Sequence, residues 1–280
     1  MSGPSGATVV LDGLRSSERI KAWRISVGVP HADEKVLRMM AFIVVFLLAL
    51  GAGALGGLVG TGSSLVLLPV LVTIYGPRMA VPMMGIAAVM ANIARVAAWW
   101  RQIRWRPVLA YALPGTPAAV LGAHTLLTIS PKIIDGLLGV FFLAMIPVRR
   151  VMAARAWRVR LWQLGVAGAV VGFLTGLVLS TGPLSVPVFT GFGLSGGAFL
   201  GTEAASSLVL YSGKLATFGQ FGALTLPVFA RGLAIGTALM VGPFLTRAIV
   251  RQARARTYAV LIDVVLLAAA AGMFITTGTQ

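Results

Sequence analysis

The sequence predicts an all-α polytopic membrane protein made of two repeats of about five helical segments each, the first two segments of each repeat forming a glycine-broken hairpin. Three observations carry this. Hydrophobic residues make up 58% of the 280 positions and charged residues only 11%, with a mean hydropathy of +0.94, whereas a soluble domain is about 25% charged. Apolar runs fill the chain from residue 39 onward, and a span needs roughly 20 apolar residues. The second half of the chain also repeats landmarks of the first.

In chain order, residues 1–38 form a solvated tail with six Lys/Arg and four Asp/Glu, long for the basic region of a cleaved signal peptide. A short interfacial helix is expected over 14–25. The first repeat, 39–148, holds apolar runs at about 39–59, 64–75, 79–100, 107–127 and 132–148. A basic cytoplasmic linker occupies 149–160. The second repeat, 161–280, holds runs at about 162–180, 183–194, 197–220, 227–246 and 257–276. The segment "SSLVLLPVLVTIYG" around Pro69 answers to "GPLSVPVFTGFG" around Pro187, and each follows a glycine-bearing break, "VGTG" and "LSTG". Asp135 in "DGLLGVFFLAM" answers to Asp263 in "DVVLLAAAAGM"; each opens a helix, where a carboxylate favours the dipole.

The net charge of +16 resides largely in connections. Arg101, Arg104 and Arg106 occupy one loop, five arginines from Arg149 to Arg160 the next, and Arg247, Arg251, Arg254 and Arg256 a third. The loops near 76–78, 128–132, 193–196 and 221–226 hold Arg78, Lys132, none and none. If each broken segment enters and leaves on one side, the three rich loops share a face, a positive-inside pattern. Five segments per repeat is odd, so the second repeat is then inverted and both termini lie outside, an architecture common in secondary transporters. A single kinked crossing at each break would instead put 247–256 opposite the other two rich loops. Trp99, Trp100, Trp105, Trp157 and Trp162 flank these loops as interfacial anchors. Loop charge of this kind implies an inner-membrane, multi-pass protein and removes the need for a nucleic-acid partner.

Backbone polar groups facing lipid cost several kcal/mol each, so the two breaks must be internal. Gly60, Thr61, Gly62, Ser63 and Ser64 in the first, and Ser180, Thr181, Gly182 and Ser185 in the second, offer small side chains, hydroxyls and helix N-termini with free N–H groups, suited to an anion. Helix packing explains the glycines four apart, at 53 and 57, at 168, 172 and 176, and at 232 and 236. Charges inside spans are functional candidates. Lys214 and Arg95 hold related places in the two repeats as counter-charges for an anion, or snorkel to the interface. Glu203 can favour its helix start, carry a coupling proton, or relate to Lys214, which lies eleven positions on, along the same face but out of contact. Asn92 can line the pathway or hydrogen-bond a neighbouring helix. His124 reads as packed or interfacial.

The glycine-rich break followed by a proline-containing apolar run, present in both halves, resembles the sulfite exporter TauE/SafE family of anion transporters. So does "GTEAASSLVLYSGKLATFGQFG" (201–222), a helix with a lysine that ends in a glycine turn. The resemblance covers roughly residues 42–275 and implies export of sulfite, organosulfonates or related small anions, with Lys214 matching the family's lysine. The chain departs from the family pattern in a first break less rich in glycine and in carrying Arg95 on the corresponding helix of the first half.

Zero cysteines exclude disulfides, thiolate chemistry and Cys metal sites. His31 and His124 are the only histidines and the carboxylates are scattered, so neither a metal site nor an organised nucleophile and base is legible. No enzyme activity, metal or cofactor is expected. The expected partners are a small anion and the lipid bilayer. An alternating-access carrier of sulfite, a sulfonate or a related organic acid fits these residues best, with an anion channel or a non-transporting membrane subunit as the alternatives.

Overall fold

The computed structural model describes residues 34–60, 63–129, 158–178 and 182–246, with isolated helical positions between 133 and 151. The tail with its helix at 14–25, Asp135, Asp263, Trp157, most of the basic linker and the last apolar run lie outside the described residues. Among the described residues there are eight α-helices and no strand: α1 (Glu34–Val59), α2 (Ser63–Tyr75), α3 (Pro77–Trp99), α4 (Trp105–Thr128), α5 (Leu161–Val178), α6 (Gly182–Gly191), α7 (Gly196–Gln220) and α8 (Leu226–Thr246), with a single 3₁₀ turn at Trp100–Gln102. Each follows an apolar run of the sequence, because continuous apolar side chains with an internally satisfied backbone are what a bilayer accepts. By length and composition two of them, Arg78–Gln102 and Leu226–Thr246, can cross a membrane alone, and shorter apolar helices lie at Phe42–Gly57, Val66–Tyr75 and Leu161–Leu177.

The helix ends follow local chemistry. Gly76, at φ 77°, turns the chain between α2 and α3, and Pro77 occupies the first position of α3, where its missing N–H costs nothing and its φ is already helical. Ser195 precedes α7 in an extended conformation. Val159 N–H donates to Gly191 O at 2.9 Å, which seats the end of α6 beside the start of α5. An 18-residue α5 rises about 27 Å, so α6 runs back toward the start of α5.

Packing runs between the two halves of the chain. α1 lies on α8, α4 on α5, α3 on both α7 and α8, and α7 on α4. α3 and α7 are antiparallel: Trp99 at the end of α3 covers Gly197 and Gly201 at the start of α7, while Gly85 early in α3 faces Leu215 late in α7. Trp99 is thus buried rather than interfacial, unlike Trp100, Trp105 and Trp162, which are exposed. His124 stacks edge-on against Phe221 at 5.2 Å. Large apolar side chains such as Leu113, Leu121 and Leu226 stand on the outer surface, as expected where lipid replaces water.

Glycines set the closest approaches. A Cβ at Gly53 would lie 2.9 Å from Leu239 O, one at Gly57 2.8 Å from Pro243 Cα, and one at Gly172 2.8 Å from Gly115 C. A Cβ at Gly232 would lie 2.9 Å from Met83 O, and Gly236 faces Met90. Small residues let helices pack backbone to backbone where no hydrophobic effect pulls them together. Gly172→Ala is therefore expected to lower stability by about 1–3 kcal/mol through overpacking, read as a lower unfolding midpoint in detergent. Gly51→Ala, which meets nothing within 4 Å, should not lower it.

Candidate functional site

The site begins with two interrupted helices. α1 closes at Gly60, whose φ of +84° admits glycine at little cost, and whose N–H reaches Gly56 O at 2.9 Å. A Cβ there would also press on Phe199 and Leu200 at 3.0 and 3.1 Å. α2 then starts at Ser63. In the second half α5 ends at Val178 and the ten-residue α6 starts at Gly182. Both interruptions border one cavity of about 30 Å³, which Gly60, Ser63 and Ser64 line from one break and Gly182 and Ser185 from the other. Asn92 and Arg95 of α3, Tyr111 of α4, Thr175 of α5, and Glu203, Ser207 and Tyr211 of α7 complete its polar wall.

Charge at the centre is paired. Arg95 is 7% exposed, Glu203 3% and Asn92 2%. Arg95 Nη1 donates to Glu203 Oε2 at 2.7 Å and to the carbonyl of Gly60, and its Nη2 donates to Asn92 Oδ1. The carboxylate's other oxygen, Oε1, accepts from Ser207 at 2.8 Å and from Ser185 at 3.2 Å. Ser185 Oγ also lies 2.9 Å from Gly182 O. A guanidinium has donors and no acceptor, so three elements must bring oxygens to it: the end of α1, α3 itself and α7.

Lys214 is fully buried and does not line the cavity. Its ammonium donates to Thr175 O at 2.7 Å and sits 5.2 Å from the Phe218 ring. Thr175 is three residues from the end of α5, where the carbonyls have no partner within the helix. Arg95 and Lys214 therefore do parallel work: each reaches from the middle helix of its half to the carbonyl end of that half's first helix, where the helix dipole favours a cation. Neither side chain snorkels to the surface.

The structure thus brings together Gly60, Ser63, Ser64, Asn92, Arg95, Gly182, Ser185 and Glu203, and sets Lys214 behind Thr175. Thr61, Gly62, Ser180 and Thr181 lie outside the described residues. Glu203 pairs with Arg95, not with Lys214. Sequence reasoning missed Ser207, Tyr211, Thr175 and Tyr111. The first two had a signal, since Glu203, Ser207, Tyr211 and Lys214 recur at helical spacing along one face of α7. Tyr111 comes from another helix and packs on Phe189, ring centres 4.9 Å apart.

The family profile described as sulfite exporter TauE/SafE matches residues 45–273. The chain belongs to the sulfite exporter TauE/SafE family. This is a family of membrane transporters. No curated protein and no solved structure matches the chain. Within this TauE/SafE chain the Arg95–Glu203 pair is buried, and removing one partner of a buried pair costs about 3–5 kcal/mol. Arg95→Met and Glu203→Gln are each expected to lower thermal stability, and the double variant to lose less than the two losses together. Additive losses in that cycle would show that the pair does not act as a unit.

Proposed function

We propose that this chain is a multi-pass inner-membrane secondary transporter that exports a small anion, such as sulfite, a sulfonate or a related organic acid, by alternating access around its two facing breaks. The observation that carries the reading is one cavity bordered by both interrupted helices, with a buried arginine and several hydroxyls on its wall. Such a polar cluster is expensive inside a membrane protein, and intramembrane charge of this kind marks substrate pathways. The main-chain N–H groups of the two breaks, from Gly60 to Ser64 and from Ser180 to Ser185, hold the anion with the hydroxyls of Thr61, Ser63, Ser64, Thr181 and Ser185. Asn92, Arg95 and Glu203 line its path, and Lys214 adds positive field from behind Thr175.

The pairing of helices supports two inverted repeats. Exchanging α1–α4 for α5–α8 turns the α1–α8 contact into α5–α4, turns α3–α8 into α7–α4, and leaves α3–α7 as itself. α3 and α7, which correspond in this scheme, run antiparallel, as inversion requires. The return of α6 toward the start of α5 supports the hairpin that this scheme requires. A cavity of about 30 Å³ holds only about two waters, which favours a carrier that opens alternately over a continuous anion channel.

Flux of sulfite, thiosulfate, a sulfonate and a small carboxylate into proteoliposomes tests the reading. Saturable flux is expected for a sulfur oxyanion. Lys214→Ala and Ser64→Ala should each slow it about tenfold or more, the scale of a lost hydrogen bond or charge contact to an ion. Unchanged rates in both would sink the site assignment. Tags in loops 101–106, 149–160 and 251–256 should all be shielded from external reagents in intact cells; labelling of 251–256 alone would overturn the inverted topology.

A further inference from the structure

Resting on the transporter reading above, the geometry points to Glu203 as a proton-coupling group: its carboxylate and the substrate anion compete for Arg95, so an anion is bound only as Glu203 takes up a proton. The starting observation is that the cation on the cavity wall is already occupied. Arg95 gives one nitrogen to Glu203 and to Gly60 O, and its other terminal nitrogen to Asn92. The cavity of about 30 Å³ has room for about two waters and not for a sulfur oxyanion beside the intact pair. An anion that reached Arg95 with Glu203 still ionised would put two negative charges against one buried cation. A proton on the carboxylate removes one of those two negative charges.

The oxygen positions around Glu203 suit both of its protonation states. With the carboxylate ionised, Ser207 and Ser185 donate to Oε1 at 2.8 and 3.2 Å while Arg95 donates to Oε2. With a proton on Oε1, Ser185 can accept it and turn its own hydroxyl to Gly182 O, already at 2.9 Å. One hydroxyl cannot donate to both partners at once, so Ser185 is placed to switch between them. That switch also ties the protonation of Glu203 to the first residue of α6, one of the two broken helices.

The step balances without any further reactant. One proton enters from the side that supplies the anion and binds Glu203, the Arg95–Glu203 ion pair opens, and Arg95 forms an ion pair with the anion. Both the loaded form with a monovalent anion and the unloaded form with the internal pair then carry the same charge through the membrane. The titratable groups facing Glu203 from the elements packed on it are Arg95 from α3 and Tyr111 from α4, with Tyr211 on α7 itself. α6 presents Ser185 and α5 presents Thr175, and neither titrates. Lys214, three turns along α7, is engaged by Thr175 O and is not part of the exchange.

The test uses the full chain in proteoliposomes loaded with a pH-reporting dye, with methanesulfonate as probe because it stays anionic across the working pH range. Sulfite is run in parallel and corrected for its neutral leak with protein-free vesicles. We expect one proton taken up per anion, and flux that rises as external pH falls. In E203Q, net flux should fall at least tenfold more than anion-for-anion exchange, since the unloaded form keeps an uncompensated buried cation while the loaded form does not. What flux remains should lose its pH dependence. Anion flux by the wild-type chain without proton uptake would overturn the coupling role and leave the transporter reading standing, and that outcome requires no variant to fold. Wild-type pH dependence retained in E203Q would also overturn it. No flux of either anion by the wild-type chain would overturn the transporter reading and the coupling with it.

Discussion

Arg95 is a guanidinium buried among the helices, on the wall of the cavity that both breaks border, and that placement constrains everything around it. A guanidinium can only donate, so the fold must deliver acceptors. Glu203 comes from α7, Asn92 from one turn earlier on α3, and the Gly60 carbonyl from the broken end of α1. The three partners fix α1, α3 and α7 relative to one another at the depth where both helices are interrupted. The glycine at residue 60 is part of the same constraint, since its positive φ is how the carbonyl is made available.

For the interruptions to reach the interior, the helices that carry them must be held tightly by their neighbours. α1 achieves this on α8 through Gly53 and Gly57, and α5 on α4 through Gly168, Gly172 and Gly176. Broken backbone exposed to lipid would forfeit several kcal/mol per unsatisfied group. Backbone-to-backbone packing on the outer sides of both broken helices removes that exposure and leaves their inner ends to face each other across the cavity.

The two basic residues of the middle helices illustrate how chemistry differentiates corresponding places. Lys214, a compact charge, settles on one carbonyl of α5 and packs against Phe218. Arg95, with a planar fork of donors, bridges a carboxylate, an amide and a carbonyl at once. Only the second leaves its charge on the cavity wall, because Glu203 lies within reach of α3 and out of reach of Lys214.

The eight described helices, the two breaks and the packing glycines could be read from the sequence, because in a bilayer apolar length, helix breakers and small-residue spacing are local constraints that a chain has few ways to satisfy. Gly60 and Gly182 were legible as helix breakers, and Ser63, Ser64, Ser185, Asn92, Arg95 and Glu203 as polar residues out of place in apolar runs. Which of them meet was not legible. Arg95 and Glu203 are 108 positions apart, and nothing local distinguishes a charge that snorkels from one that turns inward; that depends on whether an acceptor waits on the neighbouring helix. The same holds for Trp99, read as an anchor and found covering Gly197, and for Lys214, whose charge looked free for a ligand until α5 placed Thr175 O against it. The sequence by itself determined the segments and their interruptions, since these follow from the solvent. The tertiary structure decided the partners, since burial makes each buried donor find an acceptor and only the packing of α3, α5 and α7 says which one is near.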